Sequence, residues 1–268
     1  MIYLQKRCLQ KADFVVKYCT ENQINFRRIS VMATPKYKRV LLKLSGEALA
    51  PANGGSILDF DFIAKVAKQI KRCTDAGVQV AVIVGAGNIW RGRQGTGMDR
   101  CRADHMGMLA TAINSIALQD VFLREGMDAV VMTAVEMEAY ADRYNSRDAI
   151  RALNENKVVI FGCGLGTPFF STDTAAALRA AEIEADCILM AKNIDAIYSA
   201  DPNLDSNAVR YTDLTYRQIL DQNLRALDMS SAVFCMENGI NGYAFGLADP
   251  ENIYRVVMGE AVGTAIHN

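Results

Sequence analysis

The chain has 268 residues, 51% of them hydrophobic and 22% charged, ample material for a sizeable buried core in one large or two small domains. Lysine and arginine number 29 against 30 for aspartate and glutamate, a balance that argues against a basic nucleic-acid surface or a polybasic membrane anchor and requires any anion to be held locally. Two histidines, His105 and His267, and seven cysteines with no CxxC pair remove most zinc-site and triad chemistries and suit a reducing cytoplasm, leaving lysine, arginine, aspartate and backbone amides to carry any reaction.

Residues 1–31 carry Lys6, Arg7, Lys11, Lys17, Arg27 and Arg28 against Asp13 and Glu21, without the apolar core of a secretion signal or a clean helical stripe. They read as an N-terminal extension, disordered or arising from an upstream start, with a transit peptide as the alternative. A single folded domain is expected over 32–268. No apolar run approaches the roughly 18–20 residues of a membrane span.

From Arg39 onward, β-branched or leucine-rich runs alternate with helical patterns. Strands are predicted at Val40–Leu44, Val78–Val84, Ala129–Met132, Val158–Phe161 and Cys187–Met190, with weaker candidates at Gly242–Gly246 and Gly263–Ile266. Between the first two, Ile63, Val66, Ala67, Ile70 and Cys73 fall at helical spacing, with Asp59 or Asp61 as cap and Gly77 as stop. Further helices are predicted at Asp104–Glu125, Arg147–Asn154, Asp173–Glu184 and Tyr216–Asn223. Such alternation specifies an α/β fold, a mostly parallel sheet covered on both faces. Ligands of open sheets bind beyond the carboxyl ends of the strands, and that is where the glycines sit.

Four strand-end loops carry the chemistry. The first, Lys43-Leu44-Ser45-Gly46-Glu47, fits a phosphate grip, and equally an edge-strand lysine followed by a routine turn glycine. The second, Gly85-Ala86-Gly87-Asn88-Ile89-Trp90-Arg91-Gly92, is not GxGxxG, and no GxxxxGK[ST] occurs in the chain; its small residues and Arg91 could still present amides and a guanidinium fork to phosphate oxygens. The third runs from Gly162 to Thr174, and Ser171, Thr172 and Asp173 are good caps for a helix whose N-terminus favours anions, though a plain cap explains them too. The fourth runs from Lys192 through Asp195 and Tyr198 to Asp201-Pro202, where Tyr198 either flanks a base or packs half-buried. Asp228, in "ALDMSSAVF", either orients lysines, holds a metal or caps a helix.

Six segments in order, "VLLKLSGEAL", "VGAGNIWRG", "MDRCRADHMGMLATAINSIALQD", "GTPFFSTDTAAALRAAEIEAD", "DAIYSADP" and "GEAVGT", resemble bacterial uridylate (UMP) kinases of the amino acid kinase family over roughly Tyr37 to Thr264. The stretch from Asp104 to Thr111 separates uridylate kinases from their acetylglutamate, carbamate and aspartate kinase cousins. The resemblance implies a three-layer α/β/α sandwich over 32–268 that transfers the γ-phosphoryl group of ATP, with Mg²⁺, to UMP. By matching positions, Lys43, Leu44, Ser45 and Gly46 would meet the ATP phosphates, helped by Gly87 and Arg91, and Lys192, Tyr198 and Asp201 would lie by the adenosine. Ala86, Asp104 and the run Leu165, Gly166, Thr167, Pro168, Phe169, Phe170, Ser171 and Thr172 would hold UMP. Lys43 and Asp228 would act on the transferred group, Asp228 by organising lysine and metal, with no metal held by protein ligands alone. The resemblance further implies a cytoplasmic homohexamer in pyrimidine nucleotide synthesis, controlled by nucleotides such as GTP and UTP, with no nucleic-acid or membrane partner.

This chain departs from the family pattern at several places. Ala86 stands where a glycine is usual, Leu165 and Thr167 where threonine and asparagine are usual, and Met190 where lysine is frequent. Lys192-Asn193 replaces a Thr-Lys pair, and Ala196 replaces a glycine. Each lost hydrogen bond typically costs about 0.5–1.5 kcal/mol, so UMP affinity is the property most exposed. The other readings are a non-catalytic nucleotide-binding or oxyanion-storage protein on this fold and a small-acid kinase of the same family.

Overall fold

The computed structural model describes residues 34–51, 53–91, 97–224 and 226–268; the expectation that residues 1–31 form an extension falls outside them. The strands are β1 (Arg39–Leu44), β2 (Gln79–Val84), β3 (Ala129–Thr133), β4 (Asp142–Arg143), β5 (Val158–Gly162), β6 (Cys187–Lys192), β7 (Ile197–Tyr198), β8 (Arg210–Tyr211), β9 (Asp213–Thr215), β10 (Asn241–Gly246) and β11 (Thr264–His267). The helices are α1 (Phe60–Asp75), α2 (Arg100–Arg124), α3 (Ser146–Asn154), α4 (Thr172–Glu182), α5 (Tyr216–Asp221), α6 (Met229–Glu237) and α7 (Glu251–Val257).

Nine strands form one sheet in the order β4-β3-β5-β2-β1-β6-β10-β11-β9, and β7 and β8 pair separately. All neighbours in the large sheet are parallel except β10 and β11. The reason lies in the strand composition: β2 and β5 are continuous apolar runs buried on both faces, which only a sheet covered by helices on each side can accommodate.

Two cores result, one per face, as expected of a three-layer sandwich. Alternate β1 residues Val40, Leu42 and Leu44 join Ile63, Val66 and Ile70 of α1 and Ile253 and Val257 of α7. On the other face, Leu41 joins Ala149 and Leu153 of α3, Ala176 and Ala180 of α4 and Cys235 of α6. The period-two alternation of β1 therefore aims Lys43 at the same helix layer as Leu41.

Helix starts follow their caps. Asp59 caps α1, accepting from the amide of Phe62 at 2.9 Å. Helix α2 begins at Arg100 rather than Asp104, because Asp99 accepts from the Arg102 amide, and α4 begins at Thr172, because Ser171 is its cap.

By length and composition alone α2 is apolar enough to cross a membrane, which corrects the reading that no run approaches that threshold. In this fold its inner side packs on β3, β5 and α1. Leu118, Val121 and Phe122 join the core, and the fully buried Asn114 and Ser115 are hydrogen-bonded, the character of a core helix in a globular protein.

Candidate active site

β5, β2, β1 and β6 are consecutive neighbours and parallel, so the loops leaving them crowd one edge of the sheet. There they wall a cavity of about 590 Å³ lined by Lys43, Ser45, Gly46, Ala86, Gly87 and Arg91 from the first two loops and by Asp104 from α2. Leu165, Thr167, Phe169, Phe170, Ser171 and Thr172 close it from the loop after β5. Sequence reasoning placed all of these together.

Within the sheet, Lys43 lies opposite Ile83 of β2 and Met190 of β6, so its backbone is fixed on both sides. Its ammonium reaches the first turn of α4, 2.7 Å from Asp173 Oδ1, with side-chain exposures of 14% and 21%. Burial alone pushes the Asp173 carboxyl up, but the ammonium groups of Lys43 and Lys192 and the hydrogen bond from Lys43 outweigh it and hold the carboxyl below its ordinary range. Asp173, read from sequence as a cap candidate, is thus the partner of the strand lysine.

The two glycine-containing turns touch. A Cβ added at Gly46 would lie 2.5 Å from the Gly85 oxygen, 2.6 Å from the Gly87 nitrogen and 2.7 Å from Asn88 Oδ1, so only glycine permits this approach. Arg91 is ion-paired with Glu47, both side chains being partly exposed.

The loop after β5 is held in a costly conformation. Cys163 and Phe169 adopt φ values of 62° and 74°, in the left-handed region that non-glycine residues rarely occupy. Each has its amide tied to α2: the Cys163 amide donates to Thr111 Oγ1 at 2.8 Å and the Phe169 amide to Asp104 Oδ2 at 2.9 Å. Asp104 also accepts from Arg100 Nε at 2.9 Å, and the Arg100 guanidinium lies over the Phe169 ring, 5.5 Å from its centre.

Ser171 Oγ accepts from the amides of Asp173 and Thr174, so the α4 N-terminus is capped as the plainer reading held. The same hydroxyl donates to Asp228, which also accepts from Thr174 Oγ1 and from the Ser231 amide as the cap of α6. Asp228 is therefore a cap and a tie between α4 and α6.

Some residues assigned by resemblance fall outside the cavity wall. Leu44 is buried in the core, and its contribution is a carbonyl that accepts from the Gly85 amide at 3.0 Å. Gly166 turns the loop at φ 72° against Ala134; neither it nor Pro168 lines the cavity. Trp90, Arg100 and Thr111 line it without having been expected. Their signal lay in the tryptophan directly before Arg91 and in the polar residues at one- to two-turn spacing along α2.

A second cavity of about 480 Å³ opens beyond β6, lined by Lys192, Tyr198, Asp201 and Pro202 among others. The Tyr198 hydroxyl donates to Asp195 at 2.8 Å. Lys192, in the wall of the second cavity, donates from its ammonium to the Ala226 carbonyl; burial pushes it below the usual lysine range, and Asp173 of the first cavity partly offsets that. Met190, in the frequent position of a family lysine, is buried and lines a small void with Lys43 and Asp173. Among the described residues no three histidine, cysteine, aspartate or glutamate side chains cluster as a metal cage.

The arrangement is two cavities: the first gathers Lys43, Arg91 and Arg100 with Asp104, Asp173 and glycine-rich turns, and the second holds Lys192 and Asp201. That is suited to holding two polyanions in line and neutralising charge between them, with no nucleophilic side chain required. The amino acid kinase family model matches residues 38–243. Among solved structures the chain is similar to the UMP kinase of Bacillus anthracis, at 35% identity and TM-score 0.83, covering 86% of this chain and 96% of that one. It is similar to the UMP kinase of Ureaplasma parvum at 35% identity and TM-score 0.82, covering 86% and 99%. The uridylate kinase of Archaeoglobus fulgidus is similar at 30% identity and TM-score 0.67, covering 85% and 99%.

Proposed function

The chain belongs to the amino acid kinase family, and from that premise we propose that it is a UMP kinase, transferring the γ-phosphoryl group of ATP to UMP to give UDP and ADP. One observation supports this above the others: Lys43, Arg91, the Gly85–Gly87 turn and the loop from Leu165 to Thr172 converge on one cavity, and Lys192, in the wall of a second, is coupled electrostatically to Asp173 and Lys43 of the first.

The first cavity takes UMP and the ATP phosphates, and the second takes the adenosine. Transfer of a phosphoryl group asks for alignment of the attacking and leaving oxygens and for neutralisation of spread negative charge. Lys43 supplies an ammonium held by rigid backbone, and Asp173 fixes its direction. Lys192 adds a second cation from the neighbouring strand. Arg91 exchanges Glu47 for phosphate oxygens, a bidentate match. Asp173 and Asp228 are the acids that would hold Mg²⁺, which would supply charge neutralisation at the ATP phosphates with only one or two protein carboxylates; both already serve protein partners.

Asp104 is the proposed ribose partner, its carboxylate having acceptor capacity beyond Arg100 and the Phe169 amide. We extend the proposal to the cytoplasm, to pyrimidine nucleotide synthesis, to a homohexamer and to control by GTP and UTP, as the family resemblance implies. The half-exposed Leu109, Ile113, Ile116 and Leu123 of α2 support subunit contact.

A coupled assay of ADP release with UMP, CMP, acetylglutamate and aspartate as acceptors tests the reading. UMP is expected to be turned over in preference to the rest. Turnover of an acid without UMP would make the chain a small-acid kinase, and ATP binding with no turnover would make it a binding protein.

A further inference from the structure

Three buried polar side chains lie close together on α2, and only Ser115 bonds solely within the helix. Ser115, fully buried, donates to the Thr111 carbonyl, a local bond of the kind hydroxyls commonly make. Asn114 and Thr111 reach outward instead, toward the two loops that line the cavity.

Asn114 is 0% exposed. Its amide donates to the Gly85 carbonyl at 2.8 Å and to Asn88 Oδ1 at 2.8 Å, and its oxygen accepts from Asn88 Nδ2 at 2.9 Å. The Gly85 amide meanwhile donates to the Leu44 carbonyl at 3.0 Å. Gly85 is thus gripped from β1 on one side and from α2 on the other, which fixes how the following Ala86 and Gly87 face the cavity. Thr111, 6% exposed, uses both capacities of its hydroxyl: it donates to the Met108 carbonyl at 2.7 Å and accepts from the Cys163 amide at 2.8 Å. Cys163 is a left-handed residue at the start of the loop after β5. Residues three apart share a helical face, so one rigid element holds both attachments.

We propose that Thr111 and Asn114 are positioning residues that register the two nucleotide loops against each other, Asn114 setting the Gly85–Gly87 turn and Thr111 the start of the Cys163–Ser171 loop. A buried amide or hydroxyl lowers stability unless fully paired, and here the pairing is spent on turn geometry at the ends of β2 and β5. The assignment of substrates to the loops rests on the UMP kinase reading; the attachment of loops to α2 does not.

The test compares Thr111→Val, Asn114→Ala and the control Ser115→Ala by steady-state kinetics and by hydrogen exchange of the intact protein. Thr111→Val is expected to raise KM for UMP about tenfold, the effect of roughly one hydrogen bond, with KM for ATP unchanged, and Thr111→Ser is expected to restore it. Asn114→Ala is expected to lower kcat by about tenfold or more and to be non-additive with Asn88→Ala, because both act through one turn. Exchange should quicken at Gly85–Asn88 in Asn114→Ala and at Cys163–Phe170 in Thr111→Val, each without the other. Should Asn114→Ala fail to fold, Asn88→Ala breaks the same pair from the exposed side and is read in the same way. Variants that lose melting temperature but match Ser115→Ala in kinetics and in local exchange would overturn the proposal. A wild-type enzyme inert toward UMP would sink the substrate reading alone, since the exchange pattern still decides the attachment.

Discussion

Asp173 carries an asymmetry that a pH titration can expose. Its carboxyl is held below the ordinary value of 3.8, so the ion pair with Lys43 contributes stability above that value and loses it as pH falls through the lower folded value. Asp173→Asn is expected to lower stability at neutral pH by about 1.5–3 kcal/mol, the range of a charge-assisted hydrogen bond. Urea midpoints followed from neutral pH into acid should then show the gap to wild type closing as Asp173 itself protonates. A gap that stays constant would mean the ion pair contributes nothing. Asp104 raises a question of specificity. Its carboxylate is only 15% exposed and already accepts from Arg100 Nε, so a ligand lacking a ribose hydroxyl would leave acceptor capacity buried and unpaired. Wild type is therefore expected to use dTMP poorly. Asp104→Asn is expected to lower kcat/KM for UMP at least about tenfold and to narrow the preference for UMP over dTMP; an unchanged ratio would remove Asp104 from ribose recognition.

At the scale of elements, the loops after β1 and β2 behave as one unit because their backbones touch. Gly46→Ala places a methyl group against backbone atoms and Asn88 at 2.5–2.7 Å, and no side-chain rotation relieves a clash with backbone. The same change at Gly87 meets the Glu47 Cγ at 2.9 Å and Arg91 at 3.5 Å, flexible side chains that can shift. Thermal melts should therefore rank Gly46→Ala well below Gly87→Ala, by about 1–3 kcal/mol for the forced overpacking, while both lose activity. Equal stability of the two would refute the close approach. This pair also marks what the sequence could disclose. The apolar runs of β1, β2, β5 and β6 announce themselves by composition, and Lys43 and Gly46 stand out because they interrupt one. Strands of two or three residues, such as β4, β7, β8 and β9, contain no period to read. Asp173 was visible as a cap candidate but not as the lysine's partner, since Ser171 does the capping. Asn114 offered nothing to read, because its meaning lies in a carbonyl 29 positions away in sequence, a long-range contact that no local pattern encodes.

Taken as a whole molecule, α2 has two working sides. Inward, Thr111 and Asn114 hold the loops; outward, Leu109, Ile113, Ile116 and Leu123 are 52%, 48%, 42% and 52% exposed. Their separations of four, three and seven residues draw one apolar stripe along the helix, the spacing of a helix-pairing seam. A stripe of this kind is self-complementary when two copies meet across a two-fold axis, so α2 is the element through which the proposed hexamer would be assembled. Ile113→Glu puts a charge at the middle of the stripe and is expected to shift the sedimenting species to lower mass, whereas Val209→Glu, at a comparably exposed position away from α2, is expected to leave it unchanged. Ile113 lies between Thr111 and Asn114 along the chain, so loss of assembly frees the helix that registers both loops, and activity is expected to fall with mass as the protein is diluted. An Ile113→Glu protein of unchanged mass would reduce the stripe to ordinary surface and remove α2 from subunit contact.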